Sequence, residues 1–304
     1  MLDRLLAVYL FILVGILLRW ATKRSSAVER GLSNLLIYVL VPVVVVAAFE
    51  GLLGVEVGVL SELVPATLLM YGFSFLLAFA ASRRVKMERG TRGSFLMVNS
   101  FPNALYLPFP VVFALFGLDG LAYSSIIFLV SMLIVMFIGY PLSAYHSEEN
   151  RGIRPAVRRI IEFPGFGAGL VGVVVVLLGI QFPPWLEQPL ALVSQGTLYL
   201  ALIFVGLNLG RSVNRRIFES VATAAAIRLA AVPIMMFLFL SVFGSVGLWG
   251  AVLLIHSGMP PAVNNIIYAE YFGLDRDLAA SAVTSLTAIS LVTTPFFVYL
   301  GSLL

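Results

Sequence analysis

The chain has 304 residues, of which 61% are hydrophobic and 11% charged, and its mean hydropathy is +1.04. An average soluble domain is about 25% charged, so this composition excludes a soluble protein and indicates one that lies within a bilayer. There are no cysteines, which excludes disulfides, thiolate metal sites and cysteine nucleophiles, and the net charge of +4 comes from basic residues in short loops, so we expect no nucleic-acid partner.

Apolar stretches separated by polar residues predict ten transmembrane helices in a single membrane domain. A run of roughly 18 or more apolar residues can cross a hydrocarbon core of about 30 Å as a helix. The first run lacks the small-residue cleavage site of a signal peptide and ends in basic residues, so we interpret it as a membrane helix. In chain order the predicted spans are 2–20, 31–50, 59–82, 94–116, 120–143, 163–181, 190–210, 217–243, 247–272 and 278–302.

The distribution of basic residues predicts the orientation in the membrane. Nearly all of the 19 Lys and Arg residues lie in alternate loops, within 19–30, 83–93, 144–162 and 211–216 and at Arg276, whereas the opposite side has only Arg4. Loops rich in Lys and Arg stay in the cytoplasm. We therefore expect a multi-pass protein of the cell membrane, with these loops cytoplasmic and both termini extracytoplasmic.

The two halves of the chain predict an internal repeat. A shift of 158 residues places the first five spans within about three residues of the last five, and Phe116-Gly117-Leu118-Asp119 returns as Phe272-Gly273-Leu274-Asp275. The predicted organisation is a first five-helix repeat (1–143), a cytoplasmic linker (144–162) and a second five-helix repeat (163–304). Because each half has an odd number of spans, the second repeat is inverted, as in many secondary transporters.

Prolines interrupt the fourth and the ninth span. Pro102, Pro108 and Pro110 lie in the fourth, and Pro260 and Pro261 lie in the ninth, with Pro260 at Pro102 plus 158. Each proline costs a continuous helix about 3 kcal/mol. Broken backbone is tolerated in a membrane only where protein or a water-filled cavity covers it. We therefore predict two broken helices that cross near the midplane and line a substrate cavity, with half-helix N-termini that suit a carboxylate.

The residues assigned to substrate binding share this location or face it from the seventh span. The alternatives are structural proline kinks for the breaks and helix packing for the polar residues of the seventh span. The candidates are Pro102, Asn103, Tyr106, Pro108, Pro260, Pro261, Asn264 and Asn265 at the breaks, and Gln195 and Tyr199 in the seventh span.

The sequence at the two breaks resembles the auxin efflux carrier family in its short bacterial and archaeal form, within the inverted-repeat superfamily of the bile acid and sodium symporters. The stretch from Pro102 to Pro110 is similar to the Pro-Asn-Thr-x-x-x-Gly-x-Pro pattern of plant members, with Ala104 in place of Thr and Pro108 in place of Gly. Residues 259–265 resemble the Met-Pro-x-Ala-x-Asn stretch of prokaryotic members. The resemblance implies a scaffold of spans one, two, six and seven, a mobile transport domain, transport of organic anions and a homodimer.

Two ionisable residues are predicted inside the membrane and have open roles. Arg228, about eleven residues into the eighth span, would either attract an anion or replace a coupling cation, or bond the carbonyls of a broken helix. His256, just before the second break, is a candidate for proton coupling or a neutral packing residue. No Asp or Glu is predicted at the midplane, so we expect no acidic ion-coupling pair.

Together these features predict a secondary transporter that exports small organic anions (carboxylates) by alternating access, with no metal and no cofactor. An enzyme is not expected, because the spans contain no aspartate pair, no HExxH motif and no convincing Ser and His arrangement. The alternative is a sodium- or proton-coupled organic-acid symporter of the bile-acid-transporter type. The expected partners are the organic anion, the lipid bilayer and a second copy of the chain.

Overall fold

The computed structural model describes residues 2–21, 31–32, 34–50, 53, 57–85, 87–147, 154, 158, 161–162, 164–209, 217–242 and 246–304. Over these ranges the chain is helical, with one isolated β-bridge and no strand. A helix satisfies its backbone N–H and C=O groups internally, which is required where lipid offers no hydrogen-bond partners. Most of the predicted linker 144–162 and all of the predicted loop 211–216 lie outside the described residues.

The α-helices are numbered in chain order. They are α1 (Leu2–Ala21), α2 (Val41–Glu50), α3 (Val57–Arg84), α4 (Arg89–Ser100), α5 (Pro108–Ile134), α6 (Tyr140–His146), α7 (Pro164–Leu177), α8 (Pro184–Asn208), α9 (Phe218–Ala226), α10 (Val232–Val242), α11 (Gly247–Ser257), α12 (Asn264–Tyr271) and α13 (Arg276–Gly301).

Five helical segments of the described chain are long and apolar enough to cross a membrane. They are Gly58–Arg84, Pro108–His146, Pro184–Asn208, Phe218–Val242 and Arg276–Gly301. Shorter apolar helices lie at Leu6–Ala21, Tyr38–Phe49, Pro164–Leu177 and Gly247–Ser257, within the predicted spans one, two, six and nine. The described structure is therefore helical with five candidate membrane spans, as expected of an integral membrane protein, and the inverted repeat of ten helices stays a prediction.

A glycine divides the longest of these segments. Gly117 lies within α5 at φ +65° and ψ −148°, between the predicted spans four and five. Gly273, its counterpart in the repeated Phe-Gly-Leu-Asp sequence, has φ +64°. Positive φ is readily adopted by glycine and costly for residues with a Cβ. The two copies of this short sequence thus share a left-handed glycine.

The described residues include three π-helical segments, each ending two residues before a proline, that were not predicted from the sequence. Proline lacks an N–H and its ring clashes with the carbonyl four residues earlier, whereas a π turn bonds residues five apart. In each segment the residue just before the proline donates to the carbonyl five residues back. The segments are Leu36–Leu40 before Pro42, Val135–Gly139 before Pro141, and Ile227–Ala231 before Pro233.

The chain divides into two compact units, called here the first and the second unit. The first unit is Met1–Leu60, Leu105–Leu129 and Arg158–Leu209, and the second is Ser61–Ala104, Val130–Val157 and Gly210–Leu304. The first unit therefore contains the predicted spans one, two, six and seven together with residues 105–129. Each half of the chain contributes segments to both units, so the two compact units do not correspond to the two five-helix repeats. The repeats themselves stay a prediction.

Within the first unit, α1 packs along α8, and α2 packs against α7 and α8. The contact between α1 and α8 is close because it is built on two glycines. A Cβ at Gly15 would lie 2.1 Å from the Ile203 carbonyl oxygen, and one at Gly206 would lie 2.1 Å from the Ile12 oxygen. Small residues allow membrane helices to approach in this way. The buried Arg19 donates from Nη1 to the Leu207 oxygen at 2.6 Å, near the end of α8.

Within the second unit, α13 is the central helix and packs against α4, α9, α11 and α12. The turn that precedes it is held by hydroxyl groups. Ser94 Oγ donates to the Asp275 carbonyl oxygen at 2.7 Å, and Ser147 Oγ donates to the Phe272 oxygen at 2.6 Å. Asp275 also caps α13 by accepting a hydrogen bond from the Leu278 N–H at 2.9 Å.

Candidate functional site: a crossing of two broken helices

Both predicted interruptions lie between helices. The helix α4 ends at Ser100 and α5 begins at Pro108, while α11 ends at Ser257 and α12 begins at Asn264. Regular helical hydrogen bonding is interrupted within the stretches 101–107 and 258–263, as proline chemistry predicts, although Phe101 and Gly258 still donate to the Met97 and Leu254 oxygens at 3.0 and 3.3 Å. The positions of the breaks follow from the sequence.

The two breaks bond to each other inside the second unit. Pro102 and Pro261 form an isolated antiparallel bridge. The Asn103 N–H donates to the Pro260 oxygen at 2.7 Å, and the Ala262 N–H donates to the Phe101 oxygen at 3.1 Å. The Phe101 oxygen accepts a second bond, from Asn265 Nδ2 at 2.9 Å. These bonds satisfy buried backbone groups that the prolines leave without helical partners, and they join the two breaks into one structure, here called the crossover.

Arg228 lies at the ends of both helices that lead into the crossover. Its side chain is 0% exposed. Its guanidinium donates from Nε to the Met259 oxygen at 3.0 Å and from Nη2 to the Ser257 oxygen at 2.7 Å. On the other side, Nη1 donates to Ser74 Oγ at 2.6 Å and, at 3.4 Å, to the Asn99 oxygen. The last carbonyls of a helix are unpaired and carry partial negative charge, so a cation is favourable there.

Two of the carbonyl groups that bond Arg228 occupy equivalent positions in the predicted repeat, which is a shift of 158 residues. Asn99 and Ser257 are 158 residues apart, and their carbonyl oxygens accept from the two terminal nitrogens of the same guanidinium. Ser74 Oγ also donates to the Asn99 oxygen at 2.6 Å. Sequence reasoning missed Ser74, Asn99 and Ser257. Asn99 and Ser257 contribute carbonyl groups, which every residue type supplies, so residue type does not mark them. The signal that was available for Asn99 and Ser257 was their separation of 158 residues.

The crossover also contains buried oxygen atoms with no hydrogen-bond partner in the described structure: Asn99 Oδ1, Ser100 Oγ and Asn265 Oδ1. The amide nitrogens of both asparagines are occupied, since Asn99 Nδ2 donates to the Phe95 oxygen at 2.8 Å and Asn265 Nδ2 donates to Phe101. Buried polar atoms are generally paired, so unpaired ones need an explanation such as a ligand or water. They provide acceptors beside a buried positive charge.

The remaining candidates of the second unit lie on the helices that flank the breaks. Asn103 is 5% exposed and His256, in the last turn of α11, is 1% exposed. Asn264 is half-buried at the start of α12 and hydrogen-bonds the Tyr268 side chain, which also bonds Tyr140. The second unit therefore brings Pro102, Asn103, Pro260, Pro261, Asn265 and Arg228 into one bonded cluster.

Four candidates belong to the first unit. Tyr106 packs against Phe204, with ring centroids 5.5 Å apart, and the buried Pro108 begins α5. Gln195 and Tyr199, one turn apart on α8, are exposed on this unit. Tyr199 stacks on Phe11 at 4.4 Å and lines an apolar cavity of about 310 Å³.

The sequence is similar over nearly its whole length to proteins named as transporters. The chain is 26% identical over 299 residues to an uncharacterized transporter of Methanothermobacter thermautotrophicus, covering 97% of this chain and 96% of that protein. It is 23% identical over 297 residues to an uncharacterized transporter of Methanocaldococcus jannaschii, covering 95% of each. The family model described as membrane transport protein matches residues 1–298. Because this match covers nearly the whole chain, the protein belongs to the membrane transport protein family, which includes the auxin efflux carriers.

Proposed function

We propose that the protein is a secondary transporter that moves small organic anions, carboxylates above all, out of the cell by alternating access. The observation that carries this proposal is the fully buried Arg228 at the crossing of the two broken helices. Proline-broken helices at membrane depth are a feature of transporter binding sites. The family match supports transport rather than catalysis.

The charge of the described interior favours an anion over a cation. Among the described residues, the buried Arg and Lys side chains are Arg19 and Arg228, and no Asp or Glu is buried. The hydrogen bonds that Arg228 makes to Ser74 and to three carbonyls all use neutral acceptors. A buried cation without an acidic partner is costly, and a bound carboxylate would reduce that cost.

The division into two compact units supports alternating access, which requires one body to move while another stays. Arg228 and the residues through which the two breaks bond, 101–103 and 259–265, lie in the second unit, whereas residues 105–107 of the first break lie in the first unit. Backbone bonds and the guanidinium would keep these groups together during a movement. In our proposal the second unit is therefore the mobile one, whereas the family resemblance would also assign residues 105–129 of the first unit to the transport domain.

Flux in proteoliposomes tests the proposal. An inside-negative potential supplies ~2.3 kcal/mol per charge per 100 mV, and a tenfold concentration gradient requires about 1.4 kcal/mol. A potential of about 100 mV alone can therefore sustain a monocarboxylate gradient of roughly forty-fold. We expect potassium–valinomycin potentials to drive carboxylate flux with sodium absent and pH equal on both sides. Absence of any carboxylate flux, with or without ion gradients, would contradict the transporter assignment.

A coupled symporter of the bile-acid-transporter type is the second candidate. It is favoured by the unpaired oxygens of Asn99, Ser100 and Asn265, because hard cations such as sodium take oxygen ligands. His256 would serve proton coupling. Flux that begins only when a sodium gradient is imposed assigns sodium coupling; flux that requires a proton gradient, and whose proton response is lost in His256→Gln, assigns proton coupling.

The variant Asn103→Ala is expected to bind the organic anion about tenfold more weakly, through loss of one amide hydrogen bond to a charged group. The backbone bond from Asn103 to Pro260 does not involve the amide side chain, so the crossover is expected to persist. Thermal-shift titration with an organic acid measures the affinity, and the unfolding temperature without ligand is the control. Unchanged affinity in a folded variant would assign Asn103 a structural role.

Cysteine labelling tests the proposed orientation. Glu88 and Glu187 are both exposed, and the predicted topology places them on opposite sides of the membrane. Because the chain contains no cysteine, single substitutions give an unambiguous signal. An impermeant maleimide is expected to label Glu187→Cys in intact cells and Glu88→Cys only after the membrane is opened. The reverse pattern would invert the orientation.

A further inference from the structure

The second unit contains a cavity of about 250 Å³ that shares no lining residue with the crossover. It lies at the end of α3, beside α4 and α6. Its basic residues are Arg83, Arg92 and His146, and its apolar wall includes Phe75, Phe79 and Leu142. No acidic residue of the described chain lines it. A cavity that combines basic and apolar walls fits an anionic amphiphile.

The arginines are positioned for an anion. The Arg83 guanidinium carbon lies over the Phe79 ring, 4.6 Å from its centroid, a distance at which the cation and the aromatic wall attract each other. Arg92 Nε is buried and has no hydrogen-bond partner in the described part of the chain. Arg89, one turn earlier on α4, donates from Nε to the Tyr145 oxygen at 3.1 Å, so a third positive charge adjoins the cavity. The planar guanidinium suits phosphate oxygens.

The position of the cavity along the helices points to a membrane lipid. Arg83 is in the last turn of α3, within the candidate span Gly58–Arg84, and His146 ends the candidate span Pro108–His146. The ends of membrane-crossing helices lie at the depth of the lipid headgroups. Phe75 and Phe79 stack with centroids 5.9 Å apart and extend the wall toward the middle of α3. Basic pockets between such helices bind phospholipid headgroups.

We propose that this cavity binds an anionic phospholipid, with its phosphate on Arg83 and Arg92 and the start of an acyl chain against Phe75, Phe79 and Leu142. Free phosphate shares the headgroup chemistry but makes no use of the apolar wall. The proposal requires only that the protein is embedded in a membrane and is independent of the transported substrate.

The test compares the unfolding temperature of the purified full chain in detergent micelles titrated with phosphatidylglycerol, phosphatidylcholine or inorganic phosphate. Phosphatidylglycerol is expected to raise the unfolding temperature of the wild type, whereas phosphatidylcholine and inorganic phosphate are expected to leave it unchanged. Arg92→Gln is expected to weaken the apparent affinity for phosphatidylglycerol about tenfold, as loss of a charge-assisted hydrogen bond implies. Arg84→Gln removes the same charge next to Arg83 but outside the cavity lining, and is expected to retain wild-type affinity.

Equal weakening in Arg84→Gln and Arg92→Gln would show general surface attraction and overturn the site. Stabilisation by inorganic phosphate alone would overturn the lipid assignment. A photoreactive phosphatidylglycerol tests the wild type directly, so the result does not depend on the folding of a variant. Crosslinks are expected in the peptides that contain Phe79, Arg92, Leu142 or His146. Crosslinks confined to other helices would contradict the proposal.

Discussion

Replacing Arg228 with methionine is expected to lower the unfolding temperature of the protein by about 10 °C or more and to abolish transport. The change removes hydrogen bonds to Met259, Ser257, Asn99 and Ser74. Each buried acceptor left unpaired costs about 1 to 3 kcal/mol, and 1 kcal/mol corresponds to about 2 to 4 °C in a chain somewhat shorter than this one. Thermal unfolding in detergent measures the loss.

The matched control is Arg276→Met, which removes an arginine whose side chain is 59% exposed and paired with Glu270. Exposed ion pairs contribute about 0 to 1 kcal/mol, so its unfolding temperature is expected to stay near that of the wild type. Arg228→Lys keeps the charge but lacks the planar fork, and we expect an intermediate loss. If Arg228→Met unfolds at the wild-type temperature and loses only anion binding, the guanidinium contacts substrate and does not hold the crossover.

The second large effect is expected at the glycine contact between α1 and α8. Gly206→Ala places a methyl group 2.1 Å from the Ile12 oxygen and 2.9 Å from the Cα of Gly15. Because these are backbone atoms, the helices must separate, and we expect a destabilisation of about 3 kcal/mol. The measurement is thermal or denaturant unfolding of the purified variant.

Gly196→Ala in the same helix is the control, because a Cβ at Gly196 meets nothing within 4 Å. Alanine has the higher helix propensity, by about 1 kcal/mol, so this variant is expected to be as stable as the wild type or slightly more stable. Equal unfolding temperatures for the two variants would show that α1 and α8 separate at little cost.

The location of the two breaks could be predicted from the sequence because proline acts locally. Pro102 and Pro260 cannot donate a helical hydrogen bond whatever surrounds them, and the family resemblance at the same residues is confirmed by the match over residues 1–298. The helical, membrane-spanning class followed equally directly from hydropathy, because apolar run length relates to bilayer thickness.

Carbonyls of a broken helix were one of the two expected kinds of partner for Arg228, but the particular residues that bond it and the π-helical segments could not be predicted. The guanidinium binds the backbone carbonyls of Ser257 and Met259. Every residue has a backbone carbonyl, so residue type does not identify these partners. Pro42 and Pro141 lie inside predicted continuous spans, because hydropathy is insensitive to a change of hydrogen-bond register. Membership of the two units depends on contacts between distant segments, which the period of the apolar pattern does not specify.

The partners of Arg228 are synthesised at different times. Ser74 and Asn99 precede it by 154 and 129 residues, whereas Ser257 and Met259 follow it by 29 and 31. At roughly 5 to 20 residues per second, the later pair is made about 2 to 6 s after the arginine. An arginine at the centre of a membrane helix costs about 2.5 to 3.5 kcal/mol to insert. During that interval the Asn99 carbonyl and the Ser74 hydroxyl are the two of these four partners that have been synthesised, so of the four only contacts from the first half of the chain can reduce this cost.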